Sequence, residues 1–141
     1  MSNEANVRRF RDQLRVETDR VRDRTRAAMI QISERAVTEL VDVSPVDERR
    51  SEGAGRFKGA WRVGVGSRPA PGVFPVDVSG AATIAAAKAE LAKMQGIQPV
   101  YIVNDTPYGP DLERGRSKQA PAGVLGRTLA ILRALFAKVR A

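Results

Sequence analysis

The sequence predicts a small α+β domain built from a long N-terminal helix, a few-stranded antiparallel or mixed sheet, a middle helix and a C-terminal helix. Three observations indicate this class. A charged segment with helical apolar spacing opens the chain, two short runs of β-prone residues lie further along, and a second apolar segment with helical spacing closes it. A chain of 141 residues is long enough for one modest core, so we expect a single domain.

Residues 6–41 are predicted to form the long helix, because apolar residues recur there at steps of three, four and seven. Arginines and acidic residues alternate between them, which is typical of a solvated, salt-bridged surface. At 1.5 Å per residue such a helix is about 50 Å long, more than a domain of this size can cover. Its N-terminal half, with Val7, Phe10 and Leu14, is therefore expected to project and to contact another subunit. The alternative is a frayed, solvent-exposed extension.

A loop and a first strand are predicted after this helix. Pro45 ends the helix or lies just past its end, since the residue before a proline is disfavoured in helical conformation. Residues 47–55 are polar and contain glycines, which indicates a mobile loop. Apolar residues then alternate with polar or small ones over 60–66, as in a half-buried strand. Trp61, the single tryptophan, is expected to anchor the core rather than to stack on a ligand.

The middle of the chain is predicted to add a helix and further strands. Ser79 is a suitable N-cap for a helix over 80–95, and Gly96 suits the position after its end. The continuous apolar run at 100–103 is typical of a strand buried on both faces. Residues 76–78 are a candidate for a second short strand.

A long polar loop and the closing helix complete the predicted order. Asn104 and Asp105 stop the strand, because their side chains bond to nearby backbone. Pro121 suits the first position of the closing helix, whose broad apolar stripe must be buried in the core or under a neighbouring subunit. The predicted units are the long helix at 1–43, a loop at 44–58, the sheet and middle helix at 59–104, a functional loop at 105–120 and the C-terminal helix at 121–141.

The composition argues against an enzyme. The chain has no cysteine and no histidine, which removes disulfides, thiolate nucleophiles, Ser-His-Asp arrangements and ordinary zinc sites. Asp105, Asp111 and Glu113 are carboxylates that could act as acid and base or hold a magnesium ion. No partner base or further ligand is spaced to help them, so we expect structural roles and no catalytic residue, cofactor or metal. A metal-dependent nuclease is a distant alternative.

The net charge of +8 favours polyanionic or acidic partners. The arginines of the first helix could neutralise phosphates, but acidic residues lie among them and no helix-turn-helix or zinc pattern is present. A basic DNA-binding module is therefore an alternative, and passive contact with passing DNA stays open. No apolar run is long enough to span a bilayer and the N-terminus lacks a signal peptide's apolar segment, so we expect no membrane partner and synthesis in a cytoplasm.

Two sequence blocks combine defined residues at fixed spacing. The first block runs Asn104-x-x-Pro107-Tyr108 and continues as Leu112-Glu113-x-Gly115-x-Ser117-x-Gln119-Ala120-Pro121-Ala122-Gly123. The second runs Ser44-Pro45-Val46-Asp47, followed by Gly55-Arg56-Phe57-Lys58-Gly59-Ala60-Trp61-Arg62-Val63. Together they resemble the tail-completion proteins of long-tailed phages, also called tail terminator, neck or minor tail proteins, in which the latter block reads Ser-Pro-Val-Asp-Thr-Gly-Arg-Leu/Phe-x-x-Ser/Asn-Trp. An insertion at 48–54 and Gly109, where the family usually has alanine, depart from the pattern.

The resemblance implies a structural virion protein that forms a ring, expected to contain six copies, at the end of the tail tube that faces the head. Such a ring caps the polymerised tube and offers a docking surface to the head connector, and no bond is made or broken. Its partners would be copies of itself, the tail tube protein and a connector or neck protein. Its place would be the tail or neck region of the virion, after assembly in the host cytoplasm. A connector-side neck or head-closure protein is the second interpretation within this class.

The loop after the second strand is the expected joining surface. Tyr108 offers a large contact area at small entropic cost, and Arg114 and Arg116 can pair with carboxylates of a partner. On the resemblance, a buried Glu113 bonded to loop backbone or to an arginine is expected to hold the loop in shape. The predicted interaction residues are Asn104, Tyr108, Glu113, Arg114, Arg116, Ser117 and Gln119.

Overall fold

A long helix, a two-stranded antiparallel sheet and four shorter helices form the α+β fold of the described chain, which confirms the predicted fold class. The computed structural model describes residues 2–47, 49, 52–73 and 75–139, so the insertion at 48–54 lies partly outside them. The elements in chain order are α1 Asn3–Val43, α2 Arg56–Gly59, β1 Trp61–Val65, α3 Ala81–Leu91, β2 Val100–Asn104, α4 Gly109–Glu113 and α5 Leu125–Val139.

The core lies between the C-terminal half of α1, helix α3 and strand β1. Its apolar side chains recur at steps of three and four in α1 and at a step of two in β1, which are the spacings that bury one face of a helix and of a strand. The buried apolar residues of this cluster are Val37, Leu40, Val41, Phe57, Trp61, Val63, Ala87, Leu91, Ala120 and Val124. Removing these faces from water holds the three elements together.

Trp61 lies in this core and links three parts of the chain. Its residue surface is 6% exposed, and its indole Nε1 donates a hydrogen bond of 2.8 Å to the hydroxyl of Ser44. The Ser44 hydroxyl in turn donates to the carbonyl of Leu40 at 2.5 Å. The indole meets the ring of Phe57 edge to face, with ring centroids 5.8 Å apart. Trp61 thus connects β1 with α2 and with the end of α1, and its polar N–H is satisfied.

The two strands pair antiparallel, with Trp61 opposite Asn104 and Val65 opposite Val100. Trp61 and Val63 of β1 are buried, but no residue of β2 is buried and Tyr101 is exposed. The prediction of a second strand buried on both faces is therefore wrong. The helices pack mainly against β1, so β2 forms the outer edge of the sheet and stays partly in contact with solvent.

Two short segments also differ from the prediction. The N–H of Asp77 donates to the carbonyl of Gly55 at 3.2 Å, and the strand predicted at 76–78 is absent from the described chain. Helix α2 occupies the end of the segment 44–58, which was expected to be loop throughout. This single turn forms where it can place Phe57 in the core, and periodicity cannot detect so short a helix.

The start of α3 is capped by Asp77 rather than by Ser79 alone. The Asp77 carboxylate accepts hydrogen bonds from the N–H of Gly80 at 2.8 Å, and from the N–H and hydroxyl of Thr83 at 2.9 and 2.7 Å. The Ser79 hydroxyl accepts one bond, of 3.2 Å, from the N–H of Ala81, the first residue of α3. Gly80 has a φ of +82°, and a Cβ there would lie 2.2 Å from a methyl group of Val41, so glycine lets α3 approach α1.

The end of α3 falls before the predicted one. The helix spans Ala81–Leu91 instead of 80–95. The N–H groups of Lys93 and Met94 bond to carbonyls three residues back, a tighter turn that brings Met94 into a buried position. Gly96 therefore lies in the following turn and is not the residue that ends the helix.

Helix α1 has a buried half and an exposed half. Its buried residues all lie between Ser33 and Val41, whereas residues 2–24 are exposed throughout. Val7, Phe10 and Leu14, which were predicted to contact another subunit, keep 44%, 60% and 51% of their surface accessible. The N-terminal half thus has no cover within the described chain. Among the described residues, no helix is both long enough and apolar enough to cross a membrane.

Replacing Trp61 by alanine is expected to lower the free energy of unfolding by about 3–5 kcal/mol, because the change leaves a cavity and removes the hydrogen-bond partner of Ser44. Denaturant unfolding followed by circular dichroism measures this cost. The control Trp61→Phe keeps most of the ring volume and should cost less. Wild-type stability of Trp61→Ala would show that the indole does not support the fold.

Asp77 has a pKa below its ordinary value. Burial by itself would raise the pKa of this carboxyl group. Hydrogen bonds from the hydroxyl and N–H of Thr83, from the N–H of Gly80 and from the Ser79 hydroxyl favour the charged form and outweigh burial. The direction of the shift therefore reports the capping contact.

Replacing Asp77 by asparagine should destabilise the fold near pH 7, and by less as the pH falls below 3.8 through the folded-state pKa. Because the folded-state pKa is the lower one, the stabilisation is fully present above the unfolded value of 3.8 and is lost as the pH falls through the folded value. Thermal unfolding of both chains across this range measures the difference. An equal cost at both ends of the range would contradict capping by the ionised carboxylate.

Candidate functional site

The segment predicted to join partners begins at the end of β2 and is held there by Asn104. Its Nδ2 donates a hydrogen bond of 2.8 Å to the carbonyl of Phe57. Its Oδ1 accepts bonds from the N–H and the hydroxyl of Thr106, at 3.2 and 2.9 Å. Asn104 therefore ties the strand end to α2 and shapes the turn that follows.

A single helical turn, α4, lies inside the segment 105–120, where the sequence predicts only loop. Tyr108 precedes this turn and Pro110 lies within its first positions, where a missing N–H costs nothing. The ring of Tyr108 packs against Phe57, with centroids 6.1 Å apart, and 38% of the residue is exposed. Tyr108 is thus held in place while part of its surface faces solvent.

Glu113 connects α4 to α5. Its carboxylate accepts hydrogen bonds from the N–H groups of Val124, Leu125 and Gly126, at 2.9, 2.8 and 3.0 Å. The first turn of a helix cannot satisfy these groups itself, and its N-terminus favours negative charge. Backbone and arginine were the two expected partners of Glu113, and the structure has the backbone. The side chain is half-buried rather than buried.

The closing helix begins at Leu125 and not at Pro121, so its predicted start is wrong. Before the helix begins, the segment that follows α4 and the segment that leads into α5 approach each other closely. At Gly123, with φ of +78°, a Cβ would lie 2.5 Å from the carbonyl oxygen of Glu113, and at Gly115 it would lie 2.4 Å from the carbonyl oxygen of Pro121. The contact between these segments, capped by Glu113, sets the first residue of α5.

Gln119 joins the loop to the chain that follows α1. Its Oε1 accepts a hydrogen bond from the N–H of Val46 at 2.9 Å, and its Nε2 donates to the carbonyl of Val46 at 2.8 Å. The Ser117 hydroxyl accepts a bond from the N–H of Gln119 at 3.2 Å, which closes a local turn. Gln119 therefore connects the two sequence blocks that carry the resemblance.

Arg114 and Arg116 are exposed cations of this loop. Both guanidinium groups pair with Asp111, at 3.1 and 3.3 Å, and their side chains are 70% and 73% exposed. Ion pairs as exposed as these contribute little to stability. A carboxylate of another protein can therefore replace Asp111 at low cost.

An open cleft of about 1170 Å³ separates this loop from the chain that follows α1. Its lining includes apolar side chains of Phe57, Tyr108 and Leu112 and basic side chains of Arg56, Arg116 and Lys118. Phe57 and Leu112 were not predicted as site residues, although both stand in the quoted blocks. The walls of the cleft are distant in sequence, and the tertiary contacts between them, such as those of Gln119 with Val46 and of Tyr108 with Phe57, cannot be read from the sequence.

The predicted interaction residues fall into two groups. One group bonds within the chain and builds the loop: Asn104, Glu113, Ser117 and Gln119. The other group is exposed on the loop: Tyr108, Arg114 and Arg116. The predicted oligomer contacts Val7, Phe10 and Leu14 do not line the cleft and lie on the projecting half of α1.

The carboxylates weighed as catalytic candidates have separate partners. Asp105 pairs with Arg62 at 2.8 Å and with Arg68 at 2.5 Å. Asp111 pairs with the loop arginines, and Glu113 with the start of α5. Within the described ranges, no group of three or more acidic, histidine or cysteine side chains is placed to hold a metal ion.

Helix α5 presents a second apolar surface. Thr128 is buried and Ile131 and Leu132 are half-buried, so one side of the helix lies against the body of the chain. The exposed large apolar residues among the described side chains of the helix are Leu125, Leu129, Leu135 and Phe136. The domain core and a neighbouring subunit were the two expected covers for this stripe, and the described core covers only part of it.

Comparisons with known proteins find no match: the chain matches no protein-family model, no curated protein and no solved structure.

Replacing Glu113 by alanine should lower the free energy of unfolding by about 1–3 kcal/mol, because three N–H groups at the start of α5 lose their acceptor. The control Glu90→Ala removes only an exposed ion pair with Lys93 and should cost less than about 1 kcal/mol. Denaturant unfolding compares the two variants. Equal costs would mean that the capping contact does not stabilise the loop.

Proposed function

We propose that this protein is a structural virion protein that forms a ring at the head-tail junction of a long-tailed phage, where it caps the tail tube and joins the tail to the head. The proposal begins from the resemblance of the two sequence blocks. The observation that supports it best is the construction of the loop after β2. That loop is fixed by contacts within the chain and presents Tyr108, Arg114 and Arg116 outward.

A loop held in this way is suited to docking. Asn104 fixes its beginning, Glu113 its centre and Gln119 its contact with the chain after α1. A loop that is ordered before binding loses less conformational entropy when it binds. Tyrosine and arginine are enriched at protein interfaces, because the ring supplies contact area and the guanidinium supplies directed hydrogen bonds. We assign Tyr108 and Arg116 to the contact with a head connector or neck protein.

Ring formation needs contacts between copies at other surfaces. The projecting half of α1 and the outer face of α5 expose large apolar side chains, among them Phe10, Leu14, Leu129 and Phe136. Extended apolar faces on a soluble chain are typical of interaction sites. Self-association through these helices leaves the loop available to the tail tube protein and the connector.

The assignment requires no catalytic residue, cofactor or metal, because capping and joining are binding events. The net charge of +8 suits a ring through which DNA passes, since contact with phosphates is independent of sequence.

Complementation of a phage that lacks this gene tests the assignment. Tyr108→Ala and Arg116→Glu should leave the circular dichroism spectrum unchanged, because Tyr108 lies partly exposed against Phe57 and Arg116 pairs with Asp111 at the surface. Both variants should yield filled heads and separate tails that fail to join, seen by electron microscopy and as a fall in titre.

The matched control is Lys93→Glu, which makes the same charge change at an exposed side chain after α3. It should complement normally. Normal titres from both loop variants would refute the loop as the joining surface.

A further inference from the structure

The positive charge of this chain is concentrated in its last residues. Residues 114–141 contain seven arginines and lysines and no acidic residue, whereas residues 1–113 contain 17 basic and 16 acidic residues. Seven of the eight net positive charges therefore follow Glu113. A segment whose charges have one sign is typical of a surface that binds a polyanion.

Four of these cations, which we call the basic strip, are exposed and form no ion pair within the described chain: Lys118 of the loop after β2, and Arg127, Arg133 and Lys138 of α5. The carboxylates that come before them in the sequence are already bonded. Asp111 pairs with Arg114 and Arg116, and Glu113 accepts the N–H groups at the start of α5. The basic strip is therefore available to an anion from outside the chain.

The α5 part of the strip is an open surface and not a groove, since none of its cations lines the cleft. Arg127 and Lys138 are 11 positions apart, close to three whole turns, so they share one side of the helix at a distance of about 16 Å. Duplex DNA carries one negative charge about every 1.7 Å along its axis, so several phosphates fall within that distance. An open row of cations suits such a regular polyanion better than it suits one carboxylate of a bound peptide.

The exposed apolar residues of α5 lie on another side of the helix. Arg127 is two positions before Leu129, and Lys138 is two positions after Phe136. Two positions correspond to about 200° around a helix. A polyanion on Arg127 and Lys138 thus leaves Leu129 and Phe136 free for a protein neighbour.

We propose that the basic strip contacts the phosphate backbone of duplex DNA without reading its sequence. The inference rests on the proposed function for the presence of DNA, because a ring between head and tail is crossed by the DNA that leaves the head. Such a ring repeats the strip in every copy. Contacts that are weak for one copy therefore add up in the assembly.

Binding of the full-length chain to a random-sequence DNA duplex, followed by fluorescence anisotropy at several salt concentrations, tests the strip. The wild-type chain should bind at low salt and lose affinity as salt rises, because each neutralised phosphate releases counterions. The double variant Arg127→Glu with Lys138→Glu should lower the affinity at least about tenfold. It should also flatten the dependence of log K on log salt concentration by about 2, since each phosphate contact contributes about 0.9.

The matched control is Arg8→Glu with Arg15→Glu, which makes the same charge change at two exposed side chains of α1. Its salt dependence should stay close to that of the wild-type chain, and circular dichroism checks that both double variants fold. Equal losses in the two variants would overturn the proposal, because net charge alone would then explain the binding. A wild-type chain that does not bind the duplex at low salt would overturn it as well.

Two further probes distinguish DNA from other anions. Poly-L-glutamate represents an acidic protein, and vesicles of phosphatidylcholine with phosphatidylserine represent an anionic membrane. The strip should bind the duplex more tightly than either probe. Tighter binding to one of them, lost in the Arg127→Glu, Lys138→Glu variant, would assign the strip to that partner and overturn contact with DNA.

The outcomes separate this inference from the proposed function. DNA binding that depends on the strip, in a chain that is dispensable for joining heads to tails, would contradict the function and support the strip. Normal joining by a chain whose DNA binding does not depend on the strip would overturn the strip alone. A chain that neither joins tails nor binds the duplex would overturn both.

Discussion

The carboxylate of Glu113 is the contact on which the presented loop depends. It lies at the end of α4 and supplies the acceptors for three backbone N–H groups at the start of α5, so one side chain fixes a helix on each side. The two segments come close enough for this only because Gly115 and Gly123 have no side chain. The shape of the loop, the first residue of α5 and the direction of its outer face all follow from this arrangement.

The parts of the fold that could be predicted are those set by local periodicity. Helix α1 and the strand of Trp61 follow from apolar spacings of three to four and of two. The modest burial of β2 could not be predicted, because an apolar run looks the same in a central strand and at an edge. The residues that cap the starts of α3 and α5 were missed for another reason. Asp77 and Glu113 cap these helices from outside the adjacent position, where sequence rules place the cap.

For the candidate site, the sequence indicated the segment but not the division of roles within it. A polar residue in a loop looks the same whether it bonds to its own backbone or to a partner. Tertiary contacts distinguish the two uses. The side chain of Gln119, for example, bonds to the backbone of Val46. The defined positions of the quoted motif, such as Glu113 and Gln119, build the loop, whereas Arg114 and Arg116 occupy its undefined positions. Most defined positions of the motif therefore build the loop in this chain, whereas the exposed Tyr108, Arg114 and Arg116 are where we expect partner preference to be set.

Because α1 is one continuous helix, a change in its angle at the core displaces its exposed end. The helix is about 60 Å long at 1.5 Å per residue, and its buried end is fixed in the core while its other end stands free. The exposed residues 2–24 span about 35 Å, so a tilt of about 5° where they leave the core would move the free end by roughly 3 Å, about half the rise of one helical turn. Contacts far from the free end, such as the close approach of the Gly80 backbone to Val41, therefore help to set the angle at which a neighbour is met. The diameter of an assembly built on this helix would be determined inside the core of each subunit.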